Sequence, residues 1–253
     1  MKIGIIGTGA IGGTIAKKMV TAGHDVKVTN TEDADKLKAR AIDLGTKPSR
    51  IEDVVKDVDL VILSVPTVAI LSLPKDLFSN VSDEVIIVDT SNYYPFRDGE
   101  IDELKDGKVE SVWVSEQIGR PVIKAFNNLL AETLNNGGKE EGANNRIAMA
   151  IAGDNVEHKK IIASLAGQAG YDTVDTGALS ESWRHQPGTP AYCTELDAKD
   201  LKVALLDADK EKAAEIRDFV ISQFMGADGA PTSHQGVVDF NRSQFPKNSR
   251  TAV

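Results

Sequence analysis

A single cysteine, Cys193, is all the thiol chemistry in 253 residues. No disulfide can close within the chain, and no cysteine cluster offers a zinc site. This usage implies a reducing, cytoplasmic setting. Basic charge is also scarce. Lys and Arg number 29 against 38 Asp and Glu, for a net charge of −9. A surface of that sign repels phosphate backbones and anionic lipid, so neither nucleic acid nor a membrane is expected as a partner. Long apolar runs are missing as well. The most apolar stretch, 58–73, contains Asp59 and Pro66 and is too short to span a bilayer. Glycines break the apolar start of the chain and no small-residue cleavage site follows cleanly, so no signal peptide is read. The four histidines are scattered along the chain, and no metal site is expected.

What the chain does have is alternation. "KIGII" reads as a buried strand, and 10–22 as an amphipathic helix closed by Gly23. "HDVKVTN" is a second strand, 33–44 a helix closed by Gly45, and "IEDVVKDV" a short helix. "DLVILSVP" and "DEVIIVDTSN" are apolar strands ending in polar or turn residues. "RPVIKAF", "NRIAMAIAG" and "GYDTVDTG" are further strands, with helical patterns at 129–135 and 156–169. Strands apolar on both faces and alternating with helices predict a doubly wound, mostly parallel α/β sheet. After Gly177 the pattern changes. "ALSESWRHQPGTPAYCTELD" reads as a loop, followed by a charged helix from 198 to about 225 with a break in it, and "FNRSQFPKNSRTAV" as a weakly ordered tail. The expected organisation is a nucleotide-binding domain over 1–178 and a C-terminal extension over 179–253, serving the substrate side or dimerisation.

Gly7, Gly9 and Gly12 form G-x-G-x-x-G where the first strand meets the first helix. Gly7 suits the tight turn, Gly9 a close approach of backbone to pyrophosphate, and Gly12 the packing of helix on strand. The first helical amides then face the phosphates. A ligand-free strand–turn–helix corner is the plainer alternative. Dinucleotide sites of this Rossmann type test the end of the second strand next, where an acidic residue selects NAD. Here the tip reads Asn30-Thr31-Glu32-Asp33, with Lys36 shortly after. Asn30, Thr31 and Lys36 suit a 2′-phosphate, whereas Glu32 and Asp33 repel one, so NADP and NAD both stay open. Two more strand ends share that edge, Ser64-Val65-Pro66 and Asp89-Thr90-Ser91-Asn92. Each is also ordinary turn chemistry.

Taken in order, "KIGIIGTGAIGGTIAKKMVTAGHDVKV", "VILSVP", "IIVDTSNYYP", "VIKAFN" and "YDTVDTGALSESW" resemble the coenzyme F420-dependent NADP oxidoreductases. The wider group of dinucleotide-binding enzymes around them, including the reductase domain of membrane metalloreductases, is similar too. The likeness spans roughly the first 185 residues. It implies that Gly7, Thr8, Gly9, Ala10, Ile11 and Gly12 hold the pyrophosphate. It places Val65, Pro66 and Ile70 beside the ribose and pyrophosphate, and Asn92 with Ala125, Phe126 and Asn127 near the nicotinamide. The family carries a Ser/Thr-Arg pair at the second strand's tip, and here Glu32 stands in the arginine's place. Lys36 falls where the family often keeps a basic residue, which favours NADP slightly over NAD.

The resemblance implies hydride exchange between NADP(H) and a deazaflavin or flavin, with a small-molecule redox acceptor as partner. Such a transfer needs two stacked rings rather than a strong acid. Reduction of a keto or imine compound needs a proton donor. No Tyr-x-x-x-Lys is present, and His185 and Tyr192 are the weak candidates for that role. A dinucleotide-binding sensor without turnover is the reading from another class. A homodimer through the C-terminal helix is expected by analogy alone.

Overall fold

The computed structural model describes residues 1–226 and 231–245. Eight strands form one sheet: β1 (Lys2–Ile6), β2 (Asp25–Thr29), β3 (Lys47–Pro48), β4 (Leu60–Leu63), β5 (Ile86–Asp89), β6 (Ile123–Lys124), β7 (Ala148–Ala152) and β8 (Asp172–Gly177). Their order is β3-β2-β1-β4-β5-β6-β7-β8. Pairing is parallel from β3 through β6. It turns antiparallel between β6 and β7, at Lys124 and Ala152, and β7 and β8 run parallel to one another. This is a Rossmann-type doubly wound sheet, as the alternating pattern predicts.

The apolar strands explain the layering. Every residue of β4, β5 and β7 is buried, because both faces of a parallel sheet are covered. On one face Ile3, Ile5, Val28 and Ile62 pack with Ile15 and Met19 of α1 (Ala10–Thr21) and with Ile162 and Leu165 of the helix Val156–Gln168. On the other, Ile6, Val61, Leu63 and Ile87 meet Trp113 and Val114 of the helix Glu110–Ile118. The period-two split of Ile5 and Ile6 between the faces is strand geometry. Asp33 caps α2 (Ala34–Leu44) by accepting from the Lys36 amide, and Gly45 ends it in the left-handed conformation.

Several local expectations change. The stretch 95–118, which carries no clear period, holds the helices Pro95–Asp98, Asp102–Lys105 and Glu110–Ile118. "RPVIKAF" keeps only Ile123–Lys124 as strand, since Pro121 lacks a donor and Phe126 turns out of the sheet at φ 61. The loop after Gly177 contains a 3₁₀ helix, Leu179–His185. The charged helix does divide, as its sequence suggests, into Ala198–Leu206 and Lys210–Met225, the second capped by Asp209. Phe240–Ser243, expected as tail, belong to the helix His234–Ser243 capped by Ser233. The end of that tail, 246–253, lies outside the described residues. Ala191, Leu201 and Leu205 cover Ala148, Ala150 and Val174, so segments after 178 complete the packing of β7 and β8. No helix among the described residues is long and apolar enough to cross a membrane.

Candidate cofactor and active site

β1 has β2 on one side and β4 on the other, so the chain reverses its winding there and leaves a crevice beyond the strand ends. The glycine turn lies in it. Gly7 has φ 98, and a Cβ there would meet the Ser64 carbonyl oxygen at 2.1 Å. A Cβ on Gly12 would meet the Gly7 oxygen at the same distance. The fold alone therefore requires both glycines. Gly9 is different. Its φ is −69, open to any residue, and a Cβ there would find nothing within 4 Å. No contact among the described residues demands glycine at Gly9. Gly9 also starts α1 without a side-chain cap, and no acidic residue sits in the first turn. The N-terminal amides of a three-turn helix are thus left for an anion, with Ala10 exposed and Ile11 half-buried beside them.

A hydrogen-bonded chain runs from this turn to the tip of β2. Asn30 Nδ2 donates to Thr8 Oγ1 at 2.7 Å and to Glu32 Oε2 at 2.8 Å. The Glu32 amide returns a bond to Asn30 Oδ1 at 2.9 Å. Arg40, from α2, grips the Glu32 carboxylate with both arms, Nε at 2.8 Å and an Nη at 2.7 Å. Arg40 and Asn30 together hold that carboxyl down at about 2. Lys36 bonds Asp33 at 2.8 Å and stays exposed, and Thr31 is exposed. Ser64 and Val65 are half-buried and Pro66 exposed beside the turn, whereas Ile70 is buried in the second core.

The ends of β5 and β6 are of another kind. Asp89 is fully buried and accepts from the Ser91 amide at 2.8 Å, Ser111 Oγ at 2.6 Å and Lys124 Nζ at 3.0 Å. Lys124 is fully buried too and also bonds the Ser91 carbonyl. Ala125 is buried, and Phe126 holds a left-handed φ that bulky residues seldom adopt. The Asn127 amide is spoken for. Its Nδ2 donates to Asn92 Oδ1 at 3.0 Å and to the His185 carbonyl at 2.8 Å. Its Oδ1 then accepts from His185 Nδ1 at 2.9 Å. That arrangement fixes the histidine tautomer and leaves His185 Nε2 a buried lone pair without a partner among the described residues. Burial, helped by Lys124, lowers His185 to about 3.

The same layer holds Glu110, raised to about 7 by burial and eased back by Lys124. Its carboxylate accepts from the Tyr93 amide at 3.1 Å. The Tyr192 and Tyr94 hydroxyls bond one another at 2.6 Å, and burial raises both. Neighbouring Cys193 is buried and pushed up to about 12. Asn128 pins this loop, donating to Ala191 O at 3.2 Å and accepting from the Cys193 amide at its own carbonyl at 2.9 Å.

Structure thus brings together Thr8, Gly9, Asn30 and Glu32, and separately Asn92, Asn127 and His185. Arg40, Glu110, Lys124 and Asn128 were missed by sequence reasoning. A lysine inside an apolar strand was a signal for Lys124. Arg40 and Glu110 gave none, since helix periodicity places them without naming a partner.

Comparison with known proteins bears on the family and the fold. A family model described as NADP oxidoreductase, coenzyme F420-dependent, matches residues 2–93. The chain is 32% identical over 124 residues to the YjhV protein of Escherichia coli (strain K12), covering 49% of this chain and 82% of that protein. Protein SMa0349 from Sinorhizobium meliloti superposes with a TM-score of 0.65 at 28% identity, over 78% of this chain and 95% of that one. A protein from Arthrobacter sp. FB24 named an F420-dependent NADP-reductase superposes with a TM-score of 0.57 at 22% identity, over 72% and 87%.

Proposed function

Starting from a chain that belongs to the coenzyme F420-dependent NADP oxidoreductase family, and is thereby an NAD(P)-dependent oxidoreductase, we propose that it passes hydride between NADP(H) and a deazaflavin or flavin ring. The observation that carries the proposal is Gly9, a glycine with open space around its missing side chain. A diphosphate in that space accounts for it. Gly7, Gly9 and Gly12 would hold the diphosphate of a bound dinucleotide, whose nicotinamide would supply a hydride to the acceptor ring while water supplied the accompanying proton.

The residues around the strand ends act as positioning groups in this reading. Thr8 and Asn30 hold the turn against the β2 tip. Asn127 and Asn92 fix the β5 and β6 ends with respect to one another. Ring-to-ring transfer rests on such alignment. Carbonyl reduction has less support. Burial disfavours a protonated His185 and raises the Tyr192 hydroxyl well above its ordinary value, so neither is a ready proton donor.

The test is oxidation of NADPH and NADH against a panel of flavins, deazaflavin, quinones and small keto and imine compounds. Turnover with a ring acceptor is expected. Saturable cofactor binding with no turnover on any of them contradicts the proposal and favours a sensor.

A further inference from the structure

At the tip of β2 two cations and two carboxylates form two closed pairs, Arg40 with Glu32 and Lys36 with Asp33. The pairs differ in geometry. Lys36 meets its own helix cap three residues away and stays 71% exposed. Arg40 reaches back eight residues and presents a two-armed fork to one oxyanion. A guanidinium fork that fits a carboxylate also fits phosphate oxygens. The oxyanion it now holds belongs to the hydrogen-bonded chain that ends on Thr8 in the glycine turn.

Resting on the dinucleotide reading above, we infer that Arg40 is the residue that recognises the 2′-phosphate, with Glu32 as a built-in competitor for it. Arg40 supplies from α2 the guanidinium that the β2 tip itself lacks. Glu32 occupies the fork while the site is free and keeps it folded against the tip. A 2′-phosphate takes the fork over, and the displaced carboxylate keeps its bond from Asn30. A ribose 2′-hydroxyl carries no charge with which to displace Glu32, so NAD(H) leaves the pair closed. The exchange is feasible because the pair is open to water, with the side chains 43% and 30% exposed, and ion pairs of that kind contribute little. Glu32 therefore sets the strength of phosphate preference and Arg40 its sign.

The test is a set of titrations of the whole chain with NADPH and NADH, and with the fragments 2′-phospho-AMP and AMP. Arg40→Met keeps an apolar stem and removes the fork. It should weaken NADPH and the phosphorylated fragment about tenfold and leave NADH and AMP within about twofold. Glu32→Gln should tighten NADPH severalfold, because the fork is released. Thermal melting of both variants should match the unsubstituted chain, since both side chains lie at the surface. An NADPH-to-NADH affinity ratio unchanged by Arg40→Met overturns the inference while leaving the dinucleotide reading intact. Loss of NADH binding in Glu32→Gln overturns it too, as that makes Glu32 a ribose ligand. Failure of the unsubstituted chain to bind either nucleotide overturns the dinucleotide reading itself.

Discussion

Two ends of one sheet edge handle polar groups in opposite ways. At the β1–β2 corner the polar groups are solvated: Gly9 and Ala10 are exposed, and Glu32, Lys36 and Arg40 pair in water. At the β5–β6 end they are sealed: Asp89, Lys124, Asn127 and His185 are almost wholly buried and bonded to one another. An exposed group can change partners cheaply, so the first corner suits ligand exchange. A buried charge that loses its partner keeps its desolvation cost, so the second end suits rigid positioning of whatever stacks against it.

Substitutions can break this contrast, and the largest effect belongs at the sealed end. Lys124→Ala strands the Asp89 carboxylate in the interior and should cost about 3–5 kcal/mol in denaturant unfolding. A loss below about 1 kcal/mol shows that water reaches the pair. Next is Glu110. Its folded value near 7 lies above its unfolded value of 4.5, so the folded chain binds the extra proton between them. The stability this supports is full below about 4.5, falls as pH rises toward 7, and is level beyond. Glu110→Gln should flatten that decline in melting curves recorded across this window; curves parallel to those of the unsubstituted chain place Glu110 in contact with solvent. The smallest effect is expected at the open corner. Asp33→Ala removes the cap of α2 and should cost about 1 kcal/mol, with no dependence on neighbours at the sealed end.

The same contrast explains what could be read from the chain without its structure. The open corner is local. Gly7, Gly9, Gly12 and Asn30 fall within one strand–helix–strand unit, so spacing alone places them. Helix periods and two-faced apolar strands likewise placed most of the sheet. The sealed end is assembled from distant pieces. Asn127 finds His185 across 58 residues, and Asp89 finds Ser111 and Lys124 across 22 and 35. No local pattern encodes such partners, which is why Glu110 and the helices of 95–118 were not legible and the strand around Lys124 was drawn too long. Arg40 shows the middle case: its helix was foreseen, but its fork on Glu32 arises from the turn between β2 and α2.

The central claim is that an anionic diphosphate fills the space beside Gly9, and Gly9→Val tests it most directly. The substitution meets no atom within 4 Å at its Cβ and no adverse backbone angle, so the fold should survive with a loss of about 1 kcal/mol from the poorer N-cap. Calorimetric titration with NADP and NAD should show saturable binding to the unsubstituted chain and at least a hundredfold weakening in the variant. Equal affinity in both proteins, with the fold intact, contradicts the account.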